Sequence, residues 1–284
     1  MSTIDPDEQR AGSREMWETA AGGWGNRADR IRDWGMPVSV TMVDALALQP
    51  GQRVLELAAG PGDTGFMAAE LVAPGGSLIS SDGAEAMLEV ARRRAAQAGL
   101  TNVEFKQLEL EWIDLPTASV DAVLCRWGIM LIVDPAAAAQ EIRRVLSPGG
   151  RAAFAVWDRP ELNPWATIPS RTLIERGHAE APDPEAPGMF RLAADGRLAG
   201  LLQDAGFVDV KVAPVALERH YAQLDDFIAE TLEISPTVSS VYARLSAEEQ
   251  AAIRERVTDQ AAPFRAADGT VTFPGSSLVA SAAA

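Results

Sequence analysis

Val54-Leu-Glu-Leu-Ala-Ala-Gly-Pro-Gly62 reads as an apolar strand that ends in a carboxylate and runs straight into a glycine-rich turn. Glycine serves where backbone takes positive φ or lies against a ligand with no Cβ between them, and Gly60, Gly62 and Gly65 supply three such places close together. A small cofactor is expected there. The stretch also satisfies G-x-G-x-x-G, with Asp82 about twenty residues further on, which is the dinucleotide fingerprint. Glu56 separates the alternatives. A nicotinamide dinucleotide would place its anionic pyrophosphate on the helix N-terminus, beside the carboxylate expected at the mouth of the turn, and like charges repel. A cofactor that brings an amino group would gain a charge-assisted hydrogen bond from Glu56.

Around this turn, apolar strands alternate with helical stretches as far as Trp157, the pattern of a parallel sheet with helices on both faces. Strands are expected at Val54 to Leu57, Ser77 to Ser81, Val103 to Lys106, Ala122 to Cys125 and Ala152 to Trp157. Helices are expected at Asp63 to Val72, Ala84 to Ala98 and Pro135 to Leu146, with glycines just past their ends. Upstream, Gly12 to Asp33 is helical in pattern, but Gly22, Gly23 and Gly25 predict a break there, and Met1 to Arg10 is expected to be disordered. From Asp158 to Met189 six prolines argue against regular packing in one sheet layer. Beyond it, Arg191 to Ala205 reads as a helix, Phe207 to Leu217 as an alternating strand, Asp225 to Ile234 and Ala247 to Gln260 as helices, and Val271 to Ala280 as a last strand.

With these motifs in order, the chain resembles the class I S-adenosylmethionine-dependent methyltransferases, and within them the bacterial group similar to the ubiquinone and menaquinone C-methyltransferases. The resemblance is close over about residues 12 to 160. The family's first motif, acid-x-Gly-x-Gly-x-Gly, falls on Glu56, Ala58, Gly60 and Gly62, with Ala58 replacing the first glycine. The acid after the second strand is Asp82, which in the family holds both ribose hydroxyls; Gly83 follows it, and Met87 is one helical turn on. Glu109 stands where the family has an acid facing the adenine amino group, followed by Leu110 and Glu111. Arg126 and Trp127 end the fourth strand, beside the family's sulfonium, and Trp24 stands where relatives carry a tyrosine near the methyl group.

The resemblance implies an α/β, doubly wound, seven-stranded, mainly parallel sheet with its last strand antiparallel. It divides the chain into an N-terminal helical lid (1–45), a Rossmann-like cofactor-binding core (46–158), a substrate cap (159–190) and the remainder of the sheet with added helices (191–284). It implies S-adenosylmethionine as cofactor and methyl transfer to a carbon, oxygen or nitrogen of a small apolar or aromatic molecule, such as a secondary metabolite. Two rivals stand beside it: an NAD-dependent oxidoreductase, and a cofactor-binding interaction protein without catalysis.

A net charge of −15 opposes nucleic-acid binding, since that affinity comes mainly from Lys and Arg neutralising phosphates. No apolar run approaches the roughly 20 residues of a membrane span, and the polar N-terminus is unlike a signal peptide, so a cytoplasmic protein, monomeric or homodimeric, is expected. One cysteine and two histidines leave no metal-ligand cluster. Methyl transfer from a sulfonium is an in-line displacement with an activated donor, so positioning supplies much of the catalysis. A base would help a phenol or enol acceptor; His178, His220, Tyr221, Asp158 and Glu161 lie at the expected substrate edge, and none is singled out.

Overall fold

A computed structural model describes residues 5–284; of the Met1 to Arg10 segment expected to be disordered, residues 1–4 lie outside the described residues. The rest of that segment is helical. Asp5 accepts the Asp7 amide and Pro6 takes the first turn, where its missing N–H costs nothing, so α1 (Pro6–Asn26) starts there. The break expected near the glycines falls later, at Arg27, before α2 (Ala28–Leu46). Inside α1 the glycines serve close packing: a Cβ on Gly23 would collide with the Glu233 carbonyl, and one on Gly25 would press on Val90 at 3.2 Å. Packing against neighbours offsets the roughly 1 kcal/mol that each glycine costs a helix. α2 buries Ile31, Trp34, Val38 and Met42 against the sheet.

The alternation after Arg53 folds as expected into β1 (Arg53–Leu57), α3 (Asp63–Val72), β2 (Ser77–Asp82), α4 (Glu85–Gln97), β3 (Val103–Gln107), β4 (Val120–Arg126), α5 (Pro135–Val145) and β5 (Leu146–Trp157). Next come α6 (Pro164–Glu175), α7 (Arg197–Asp204), β6 (Val208–Tyr221), α8 (Leu224–Ile234), α9 (Pro236–Tyr242), α10 (Ala247–Ala261) and β7 (Val271–Ala283). The sheet order is β3-β2-β1-β4-β5-β7-β6, parallel except that β7 runs antiparallel to β5 and β6. The direction of strand addition reverses between β1 and β4, so the crevice of this α/β sheet lies outside their carboxyl ends.

The proline-rich stretch adds no strand to the sheet, as expected, and holds a helix, α6, because Pro164 occupies its first turn and the buried Pro169 removes a single internal hydrogen bond. One expectation needs correction. Of the helix expected over Arg191 to Ala205, only Arg197–Asp204 forms. The preceding residues are tied to the loop after β4 instead: Gly188 donates to the Met130 carbonyl, and the Arg191 guanidinium donates to Ile132 and Val133. Among the described residues, no helix is long and apolar enough to cross a membrane.

Candidate active site

The turn after β1 takes left-handed backbone at Ala58 (φ 51°), Gly60 (φ 53°) and Gly62 (φ 92°). Ala58, where the family carries glycine, thus holds the conformation that favours glycine. Glu56 departs from expectation. Instead of standing at the mouth of the turn it is 3% exposed beneath α3, where Oε1 accepts the Gly65 amide at 2.7 Å and Oε2 lies 3.4 Å from Ser80 Oγ. A Cβ on Gly65 would collide with that carboxyl, which is why glycine stands there. Burial pushes the Glu56 pKa up to about 8, against the opposing pull of the Gly65 amide and Arg126. Arg126 is also buried: Nη1 donates to Ser39 Oγ at 3.1 Å, Nη2 lies 3.8 Å from Asp63, and the guanidinium covers the Trp127 ring at 4.7 Å.

The ends of β2 and β3 bring several other expected residues together. Asp82 accepts the Gly60 amide on one oxygen at 2.9 Å and the Ala84 amide on the other at 3.0 Å, linking the glycine turn to α4. Burial raises its pKa to about 6. Each oxygen keeps a second lone pair, the acceptor geometry that a vicinal diol needs. Beside it, the Glu109 carboxylate lies 3.4 Å from where a Cβ on Gly83 would stand, leaving Gly83 open backbone between two acids. Met87 is buried with Ala21 and Ala84, and Trp17 and Trp24 pack on them. Trp24 donates its indole N–H to the Ile234 carbonyl at 2.9 Å, which fixes α1 to α8.

Sequence reasoning missed what α1 contributes here. Glu18 accepts the amides of Glu85 and Ala86 at 2.7 and 2.9 Å, capping α4 from another helix. Arg10 donates to both oxygens of Glu111 at 3.1 and 3.0 Å, and Arg14 pairs with Glu109. The residues expected at the adenine therefore also latch α1 across the carboxyl edge. Leu110, between them, is buried in the core.

Trp127 goes elsewhere. Its backbone is left-handed (φ 58°), and its ring stacks on Trp157 at 4.3 Å and on Trp34 at 5.3 Å, with the indole N–H on Ser277 Oγ at 3.0 Å. Trp165 closes on Trp157 at 4.8 Å. These rings form an aromatic box at the carboxyl ends of β4 and β5. The base candidates are committed to structural bonds: Asp158 accepts from Ser276 Oγ and the Arg159 amide, Tyr221 donates to Glu230, and His178 pairs with Glu249. His220 is exposed and contacts Thr272, and Glu161 is exposed.

The strand order, the acid-anchored glycine turn and the acid after β2 agree with a family model described as a methyltransferase domain, which matches residues 48–172. Over those residues the chain is similar to a methyltransferase domain. It is 34% identical over 155 residues to a demethylmenaquinone methyltransferase of Clavibacter sepedonicus, covering 55% of this chain and 58% of that protein. It is 28% identical over 171 residues to the ubiquinone/menaquinone biosynthesis C-methyltransferase of Coxiella burnetii, covering 58% and 67%. The chain thus spans little more than half the length of the first of these methyltransferases. Its fold is shared with the YcgJ protein of Bacillus subtilis at a TM-score of 0.55 and 18% identity, over 86% of this chain and 97% of the other.

Proposed function

We propose that the protein transfers a methyl group from S-adenosylmethionine to a carbon or oxygen nucleophile of a small aromatic acceptor. The observation that carries this is the adjacency of two half-sites along one sheet edge: a diol-accepting, glycine-walled cradle after β1 and β2, and an aromatic box after β4 and β5. The cofactor, when bound, supplies a methyl already activated on a positive sulfur. The chain's residues then bind and align. Asp82 takes the ribose hydroxyls, Ala58, Gly60 and Gly62 let the turn approach, and Gly83, Met87, Glu109, Leu110 and Glu111 surround the base. Arg126 and Trp127 stand between the halves, and α1 with Trp24 serves as the lid. Alignment in a water-poor site accounts for much of the rate, so the engagement of the candidate bases in structural bonds is no obstacle. The names of the two relatives support a quinone-like acceptor. Intrinsic fluorescence should saturate with S-adenosylhomocysteine and not with NAD, and labelled cofactor incubated with a producing extract should yield a labelled small molecule by mass spectrometry. Saturation by NAD alone would overturn the reading.

A further inference from the structure

Arg219, on β6, is buried to 2% exposure between two indoles, its guanidinium carbon 4.0 Å from the Trp34 ring centroid and 3.9 Å from that of Trp165. Its Nε and Nη2 have no hydrogen-bond partner, and neither does Trp34 Nε1. Among the described residues only five buried side-chain polar atoms lack a partner, so three of the five meet at this one point. Such atoms are costly to bury, more so when charged, and a concentration of them marks a place built for something else. Glu230 is the nearby acid, 3.4 Å from Nη2, but it is shared: it also accepts from Tyr221 at 2.7 Å and pairs with Arg30. Arg219 and the solvent-exposed Arg30 share this one carboxylate, and Arg219 Nε and Nη2 stay without a hydrogen bond. Register sets the place. β6 runs parallel to β5, and Arg219 pairs with Phe273 beyond the Trp157–Ser277 level, so it closes the aromatic box at the carboxyl edge. A cleft of about 550 Å³ opens beside its neighbours Trp34, Leu217 and His220, lined by Arg30 and by the acids Asp33 and Glu218.

We propose that Arg219 is a specificity residue that receives an anionic oxygen of the acceptor, a carboxylate or ionised phenol, while the tryptophans hold its aromatic ring. This rests on the methyl-transfer reading and names its substrate class. A planar guanidinium suits such a group because it donates two parallel hydrogen bonds while its faces stay stacked on indoles.

The test is tryptophan-fluorescence titration of the full chain with benzoate, 4-hydroxybenzoate, salicylate and 2-naphthoate, each beside its neutral carboxamide. At least one acid should bind at least tenfold more tightly than its amide. Arg219→Met should abolish that preference and Arg219→Lys should retain part of it. No acid preference in the wild-type protein, or one that survives in Arg219→Met, would overturn the proposal; the wild-type comparison decides even if the Met variant does not fold. Calorimetry with S-adenosylhomocysteine on the same samples separates the two readings: cofactor binding without acid preference removes Arg219's role alone, and absent cofactor binding removes the methyl-transfer reading.

Discussion

Asp82, half-buried, and Glu56, fully buried, are both acids near the glycine turn, yet their surroundings give them different work. Asp82 has one amide on each oxygen and a lone pair to spare on each, so Asp82→Ala should weaken S-adenosylhomocysteine binding by about 1–3 kcal/mol while the protein stays folded. Because its pKa lies near 6, the wild-type affinity should rise as pH climbs from 5 to 7 and the carboxylate ionises. Calorimetry across that range should show the slope in the wild type and a flat profile in the variant. Glu56 makes a stability prediction instead. Its folded pKa, about 8, lies above the roughly 4.3 of an unfolded glutamate, so the native state holds a proton that the unfolded chain has lost. The contribution is therefore present at low pH and disappears as pH rises toward 8. Thermal melts of the wild type should fall between pH 5 and 8 by the equivalent of a few kcal/mol, and Glu56→Gln should flatten the curve. The acid's identity at this position was legible in the sequence. Its burial was not, because the Gly65 amide that draws it under α3 becomes its partner only when the helix forms.

At the scale of elements, the first half of α1 is held over the carboxyl edge by polar contacts, Arg10 to Glu111, Arg14 to Glu109 and Glu18 to the start of α4, while Ala21 and Trp24 further along pack on Met87. The Arg14–Glu109 pair is exposed, and such pairs contribute on the order of 0–1 kcal/mol, so the first turns of the helix can lift without unfolding the sheet. We expect Arg10→Ala with Arg14→Ala to speed amide hydrogen exchange over residues 10–20 and to lower turnover more than cofactor affinity. Unchanged exchange would make α1 a fixed part of the fold. The helical character of α1 could be read from its pattern, whereas its continuity through Gly22, Gly23 and Gly25 could not. A glycine in a helix and a glycine in a hinge look alike until the neighbour that needs the space, here the Glu233 backbone, is known. The prolines before and within α6 kept that stretch out of the sheet, and their positions within the turns leave room for a helix.

Across the whole molecule, local signals sufficed for the succession of strands along the chain up to β5, although β4 follows β3 without a helix and lies beside β1. The aromatic box was not legible: Trp34, Trp127, Trp157, Trp165 and Arg219 come from five elements or their edges, and only the topology brings them together. That topology threads β7 between β5 and β6, although both partners precede it in the chain. A polypeptide emerging from the ribosome would thus present two long strand edges, with their hydrogen-bonding groups facing water, until Val271–Ala283 arrived to join them. Open edges of this kind invite pairing with another copy. A fragment ending at Thr270 should accordingly be recovered as aggregate, with sedimentation as the measurement, while a separately added peptide of residues 271–284 should restore soluble protein. On this view, the acidic charge of the chain guards the nascent protein by mutual repulsion during the interval before its sheet is closed.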